Sequence, residues 1–222
     1  MPAQGERGRP VQLALKRALD AAGAAALLGA LSPLLLLLAA AVKADSRGGA
    51  LFRQERAGQG GRLFTIYKFR TMVEGADRSA LGSYCYRDDP RITRAGRLLR
   101  RTSLDELPQL LNVLKGDMSF VGPRPDLPHH VARYDARQRG RLAMRPGITG
   151  WAQVNGRNGI PWAERIELDL QYVNGWSLWR DLRVAARTVK VVLAREGTEL
   201  PRRLDEPTAG ERPWPEHERD AS

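Results

Sequence analysis

Between Ala21 and Val42 the chain runs for about 22 residues without a charge, which is long enough to cross a hydrocarbon core about 30 Å thick as a helix. No other feature limits the fold as strongly. Ser32-Pro33 falls near the middle of the run, where a proline removes a backbone hydrogen bond and kinks or breaks a helix. Arg7, Arg9, Lys16 and Arg17 precede the run and Lys43 and Arg47 come after it, so the positive-inside rule gives no direction for a crossing. Two readings stay open: a kinked spanning helix, or a re-entrant helix that turns at Ser32-Pro33 and leaves on the face it entered. A cleaved signal peptide fits less well, although Ala39–Ala41 resembles a cleavage site, because the run is too long and is interrupted by proline.

What surrounds this segment is one catalytic-sized unit. With 222 residues and 42% hydrophobic content, the chain has room for one ordinary domain and appendages, but not for a second large domain. The net charge of +11 points to an anionic partner: a phosphorylated substrate, anionic lipid or nucleic acid. The single Cys85 excludes an internal disulfide framework and reads as a small buried residue between Tyr84 and Tyr86. The expected organisation is a basic N-terminus with the membrane helix over 1–48, a folded unit over 49–197, and a Pro-, Glu- and Arg-rich disordered tail over 198–222.

Within the folded unit, TSLDELPQLLNVLKGDMSFVGPRP (102–125) concentrates the chemistry. Leu104, Leu107, Leu111 and Leu114 recur at spacings of three and four, predicting an amphipathic helix that ends at Gly116. Its start is open: Ser103 with Glu106 matches a capping box, Pro108 disfavours helix at Leu107, and Asp105 can itself serve as the cap. In either register Asp105 and Glu106 occupy the first turn, where free amides and the helix dipole favour an ionised carboxylate. They are equally good as plain first-turn residues. The Pro-Arg-Pro segment downstream favours chemistry, because Pro123 and Pro125 restrict the backbone on both sides of Arg124, a guanidinium suited to phosphate.

Upstream of the dyad, Ala50–Arg56, the glycines 58–61 and Leu63 onward predict a β-hairpin. Alternation in FTIYKFRTM (64–72) puts Lys68 and Arg70 on the face of Phe64 and Ile66, where cations need an anionic partner. Residues 75–89 read as a loop over the site, and Ile92–Arg101 as a short basic helix carrying Arg100. Leu127–Leu142 reads as a helix whose His129 and His130 lack metal-ligand spacing and are structural or solvent-facing. RPGITGWAQVNGRN (145–158) is turn-rich and carries Arg145, Gln153, Asn155 and Arg157. Glu164–Glu196, with Trp176 and Trp179 among Arg180, Arg183, Arg187 and Lys190, fits either an interfacial helix or a core-packing one. The fold class expected is α+β: mainly helical with a small β-hairpin or sheet, an N-terminal re-entrant membrane helix and interfacial amphipathic helices.

Taken together, YKFRTM, RRTSLDELPQLLNVLKGDMSFVGPRP and RPGITGWAQVNGRN resemble the bacterial sugar transferases, the monotopic phosphoglycosyl transferases that begin glycan assembly on polyprenyl phosphate. The resemblance runs from about Lys16 to about Gly197. It implies that Asp105 is a covalent nucleophile, that Glu106 belongs to a Mg²⁺ site and the dyad's chemistry, and that Lys68, Arg100 and Arg124 contact phosphate. Arg70, Arg145 and Arg157 are further candidate substrate-binding residues. It also implies the re-entrant form of the apolar helix, with Ser32 and Pro33 as its break. The expected reaction moves a phosphosugar from a UDP-sugar to undecaprenyl phosphate at the cytoplasmic face of the inner membrane, releasing UMP. The expected partners are those two substrates and the membrane, with downstream glycosyltransferases and without nucleic acid. The competing expectation is a non-catalytic, membrane-attached module that binds anionic lipid or nucleic acid.

Overall fold

The computed structural model describes residues 10–76, 89–156 and 159–194. Arg157, Cys85, most of the expected 75–89 loop and the expected tail lie outside the described residues.

Helix α1 spans Pro10–Asp45, with Pro33 inside it. The expected interruption at Ser32-Pro33 is not seen; the helix continues through the pair. Pro33 has no N–H for the carbonyl of Gly29, one turn earlier, and the Ser32 hydroxyl donates to that oxygen at 2.8 Å instead. The serine therefore satisfies the group that the proline orphans. The helix is long and apolar enough to cross a membrane, and Leu36 and Leu37 are exposed along it. Both of its ends rest on the same folded body. Near the start, Arg17 donates to the carbonyls of Val113 (2.6 Å) and Leu114 (2.7 Å), and Ala24 packs with Ile66, Val113 and Met118. Near the end, Val42 packs with Phe69 and Leu99, and Asp45 accepts from the Ala95 amide at 2.7 Å.

The predicted hairpin is present as β1 (Leu51–Ala57) and β2 (Leu63–Phe69), antiparallel, with Phe52 opposite Lys68, Gln54 opposite Ile66 and Arg56 opposite Phe64. Gly60 and Gly61 turn the chain at positive φ (+65° and +80°), which side chains disfavour. Helix α2 (Arg94–Thr102) starts at Thr93, whose hydroxyl accepts from the Gly96 amide at 3.0 Å. It stops at Ser103, the only non-glycine residue at positive φ among the described residues.

The dyad helix differs from expectation in phase. Leu104–Gln109, containing Pro108, is a 3₁₀ turn, and only Leu110–Lys115 (α3) is α-helical; Gly116 ends it at φ +93°, as predicted. Each 3₁₀ residue advances about 120° rather than 100°, so five steps shift the later side chains by about one α-helical position. Leu110 and Val113 are therefore buried with Asn112, while Leu111 and Leu114 are exposed. The predicted leucine stripe is corrected accordingly. The Ser103–Glu106 capping box does not form either, since Ser103 sits in the left-handed region and its side chain makes no cap bond.

Two three-residue strands complete the frame. β3 (Ser119–Val121) and β4 (Gly147–Thr149) run parallel, and the pairing extends through Gly122 N to Thr149 O and Gly147 N to Pro123 O, both 2.9 Å. A Cβ on Gly147 would lie 2.1 Å from the Gly122 nitrogen, so only glycine permits this approach. The expected helix over Leu127–Leu142 is instead α4 (Pro128–Ala132) followed by a 3₁₀ turn at Gln138–Ala143. The C-terminal element divides into α5 (Trp162–Asn174) and α6 (Leu178–Ala194), with Trp176 buried between them. Helix α6 leaves Trp179, Leu182, Val189 and Leu193 exposed beside its arginines, the pattern of an interfacial helix.

Candidate active site

The site forms where β2, the 3₁₀ turn and the Pro-Arg-Pro segment meet. Asn112 seats the dyad against the strand: its Oδ1 accepts from the Tyr67 amide (3.1 Å), and its Nδ2 donates to the Thr65 carbonyl (2.7 Å). That brings Glu106 to the end of Lys68, whose ammonium lies 3.1 Å from Glu106 Oε1. Arg124 reaches the same oxygen at 2.6 Å. Two cations thus share one carboxylate oxygen. The Arg124 side chain remains 45% exposed, against 16% for Glu106, so the guanidinium faces the opening of the site.

Arg124 is held from behind. Asp126 accepts from the Leu127 amide (2.8 Å), the Tyr134 hydroxyl (2.9 Å) and the Trp162 indole (3.4 Å), and its Oδ1 lies 2.7 Å from His130 Nδ1. The buried Arg141 donates to the Arg124 carbonyl at 2.9 Å and pairs with Asp169 at 2.5 Å. His130 is therefore structural, as expected. From the other side, the parallel bonds of β4 support the chain at Gly122 and Pro123. The glycines of RPGITG serve this backing: a Cβ on Gly150 would lie 2.2 Å from the Gly122 carbonyl oxygen.

The electrostatics separate the two carboxylates. Burial pushes the Asp105 carboxyl up to about 6, reinforced by the negative Glu106 and opposed by Lys68, Arg100 and Arg124. This reverses the expectation that the first turn holds it low, because desolvation outweighs a short 3₁₀ terminus. For Glu106 burial acts in the same upward direction, but the charges and hydrogen bonds of Arg124 and Lys68 hold it well below the usual carboxylate range. Burial also lowers the Lys68 ammonium, while Glu106 raises Arg124. Among the described residues, nothing donates a hydrogen bond to the Asp105 carboxylate. Glu106 is therefore committed to cations, and Asp105 is available.

Two of the predicted cations lie elsewhere. Arg70 comes directly after β2 but turns its guanidinium to the carbonyls of Ser46 (2.8 Å) and Arg47, just beyond the end of α1. Arg145 donates to the Gly116 carbonyl at 3.1 Å, at the far end of α3 from the dyad. Arg100 is beside the site: its Nε donates to Thr71 Oγ1 at 2.7 Å, and its charge acts on Asp105. Asn155 donates to the Trp151 carbonyl at 2.6 Å and accepts from Arg187, which stacks on Trp151.

A family model described as bacterial sugar transferase matches residues 11–195. The chain belongs to that family. The relatives differ in length: the matched stretch makes up about nine-tenths of some and less than half of others. An uncharacterized sugar transferase, EpsL, of Bacillus subtilis is 47% identical over 183 residues, covering 82% of this chain and 89% of the relative. A protein of Caulobacter vibrioides named UDP-glucose:undecaprenyl-phosphate glucose-1-phosphate transferase is 50% identical over 189 residues, covering 82% of this chain and 70% of the relative. The exopolysaccharide production protein ExoY of Sinorhizobium fredii is 40% identical over 204 residues, covering 86% and 90%.

Sequence reading did not single out Asn112, Arg141 or Asp169, although all three set the site's geometry. Asn112 carries the only available signal, a polar residue within the helical run. It falls between Leu111 and Val113, where the 3₁₀ phase shift turns it inward.

Proposed function

We propose that this chain transfers a phosphosugar from a UDP-sugar to polyprenyl phosphate through a covalent Asp105 intermediate. The observation that carries the reading is the unequal dyad: Glu106 is neutralised by Lys68 and Arg124, while the adjacent Asp105 carboxylate accepts no hydrogen bond among the described residues. A module that only holds lipid has no use for that difference. Relatives named as undecaprenyl-phosphate glucose and galactose transferases support the substrate class.

In the first half-reaction, Asp105 attacks the phosphorus that bears the sugar. The bond from that phosphorus to the bridging oxygen breaks, and UMP leaves with the electron pair. In the second, a phosphate oxygen of the polyprenyl phosphate attacks the same phosphorus and the Asp105 carboxylate is released. The donor's two phosphates are anionic, so Lys68, Arg100 and Arg124 neutralise charge before a carboxylate can approach. A Mg²⁺ ion usually binds one or two carboxylates together with substrate phosphates; Lys68 and Arg124 both take Glu106 Oε1, so Glu106 would hold the ion through Oε2, and the ion would add charge neutralisation at the phosphates. Incubation with the donor alone should add one phosphosugar mass at Asp105 and release one equivalent of UMP. An Asp105→Asn variant that still turns over would overturn the assignment.

The reading puts the folded unit on the cytoplasmic face, where nucleotide sugars are available, with both ends of α1 held on that side by the folded body. A cysteine introduced at Ala3 in a Cys85→Ser background should react with a membrane-impermeant thiol reagent only after lysis. Labelling in intact cells would make α1 a spanning helix.

A further inference from the structure

On the strand facing Lys68, a fourth cation lies at the site that neither the motifs nor the two half-reactions use. The hairpin register places Phe52, Gln54 and Arg56 opposite Lys68, Ile66 and Phe64. The Arg56 guanidinium donates to Gln54 Oε1 at 2.6 Å, which fixes its direction. A second donor reaches the Pro125 carbonyl only at 3.4 Å, and the buried Nε has no partner. Arginine carries five donors, and among the described residues this guanidinium has no carboxylate in hydrogen-bond contact. The charges acting on it are Arg124, which repels it, and Asp126 and Glu106, which attract it. Those acting on Asp105 are Glu106, Lys68, Arg100 and Arg124. Contacts order the site: Arg56 reaches the Pro125 carbonyl beside Arg124, Arg124 reaches Glu106 Oε1, and Asp105 precedes Glu106, so Arg56 lies on the Pro-Arg-Pro side of the dyad.

We propose that Arg56, oriented by Gln54, holds the phosphate exchanged in the reaction: the UMP phosphate as it leaves and the polyprenyl phosphate as it enters. The inference rests on the phosphoglycosyl reading of the dyad. In-line displacement requires the leaving oxygen to depart on the side opposite Asp105. The second attack displaces Asp105 from the same phosphorus, so its oxygen must arrive from that same side. One anion subsite then serves both half-reactions in turn, which is how a soluble donor and a lipid acceptor share one small site. Arg56, on the Pro-Arg-Pro side of the dyad, is assigned to that subsite.

The test measures the half-reactions separately in one detergent for the unchanged protein, Arg56→Gln and Arg56→Lys. Donor alone is followed by UMP release and adduct mass, and isolated adduct with polyprenyl phosphate is followed by lipid product. Removing one charge-assisted phosphate contact should slow Arg56→Gln about 30-fold in both steps at subsaturating substrate. Arg56→Lys should recover part of both rates, and the melting temperatures of all three proteins should agree. A slow first step with an unchanged second would make Arg56 a nucleotide contact alone and overturn the shared subsite. Unchanged rates in both steps, or a loss that lysine does not recover accompanied by a lower melting temperature, would remove it from the site. Failure of the unchanged protein to form any adduct would overturn the phosphoglycosyl reading instead.

Discussion

Two groups of arginines divide the work in this molecule. Arg56, Arg100 and Arg124 gather with Lys68 around the dyad, where Glu106 pairs with Lys68 and Arg124 and the buried Arg56 Nε has no partner among the described residues. Arg17, Arg70 and Arg145 point instead at main-chain carbonyls: Arg17 and Arg145 at the end of α3, and Arg70 beyond the end of α1. Helix ends leave four carbonyls without intrahelical partners and carry negative dipole charge, so an arginine within reach is drawn there. The presence of a cation in a motif thus says little about ligand binding. Its nearest acceptor decides its role.

This division can be broken most directly by exchanging its consequences. Arg124→Ala should lower kcat/KM for the donor by about 300-fold, because its guanidinium is open to the site and oriented by Pro123, Pro125 and the Arg141 bond to its carbonyl. Its melting temperature should change by less than about 2 °C, in keeping with the modest stability contribution of a partly exposed ion pair. A parallel loss of activity and stability would place Arg124 in the structural group.

A smaller effect concerns the acid limb of the reaction. The free Asp105 carboxyl titrates near 6, and only its anion is a nucleophile. The fraction ionised falls from about nine-tenths at pH 7 to about one-tenth at pH 5, so donor kcat/KM should drop about tenfold over that interval. The stability term has the opposite sense: a carboxyl whose folded pKa exceeds its unfolded value of 3.8 loses stability as pH rises between the two. Activity should therefore fall on acidification without unfolding from this group. A flat profile down to pH 5 would contradict the raised Asp105.

The complementary change is Arg70→Met. It removes the buried donors from the carbonyls of Ser46 and Arg47, for a loss of about 2 kcal/mol, or about 6 °C in melting temperature for a domain of this size. Donor kcat/KM of the folded fraction should stay within about threefold. A hundredfold kinetic loss with unchanged melting would return Arg70 to the substrate site.

Several elements were legible in the sequence because their causes are local. The length of the apolar run, the glycine turn of the hairpin and the positive-φ stop at Gly116 each depend on a few consecutive residues. The dyad and the Pro-Arg-Pro segment are likewise visible as a charge pair and a stiffened arginine. The leucine stripe failed because Pro108 selects a 3₁₀ turn, whose different pitch rotates every later side chain. The two short parallel strands were invisible, since three residues carry no periodicity and their pairing depends on Gly122 meeting Gly147 across the fold.

The sequence by itself determined the apolar helix, the order of the elements and the chemical groups available: two adjacent carboxylates, a proline-bracketed arginine and an excess of cations. Only the tertiary structure decided which cations meet those carboxylates and which settle on helix ends. It also set Asp105 apart from Glu106, although they are neighbours with nearly the same side chain. The reason is that charge interactions and desolvation depend on distance and burial, which are fixed by contacts between residues far apart in the chain, such as Asn112 with β2 and Arg141 with Arg124.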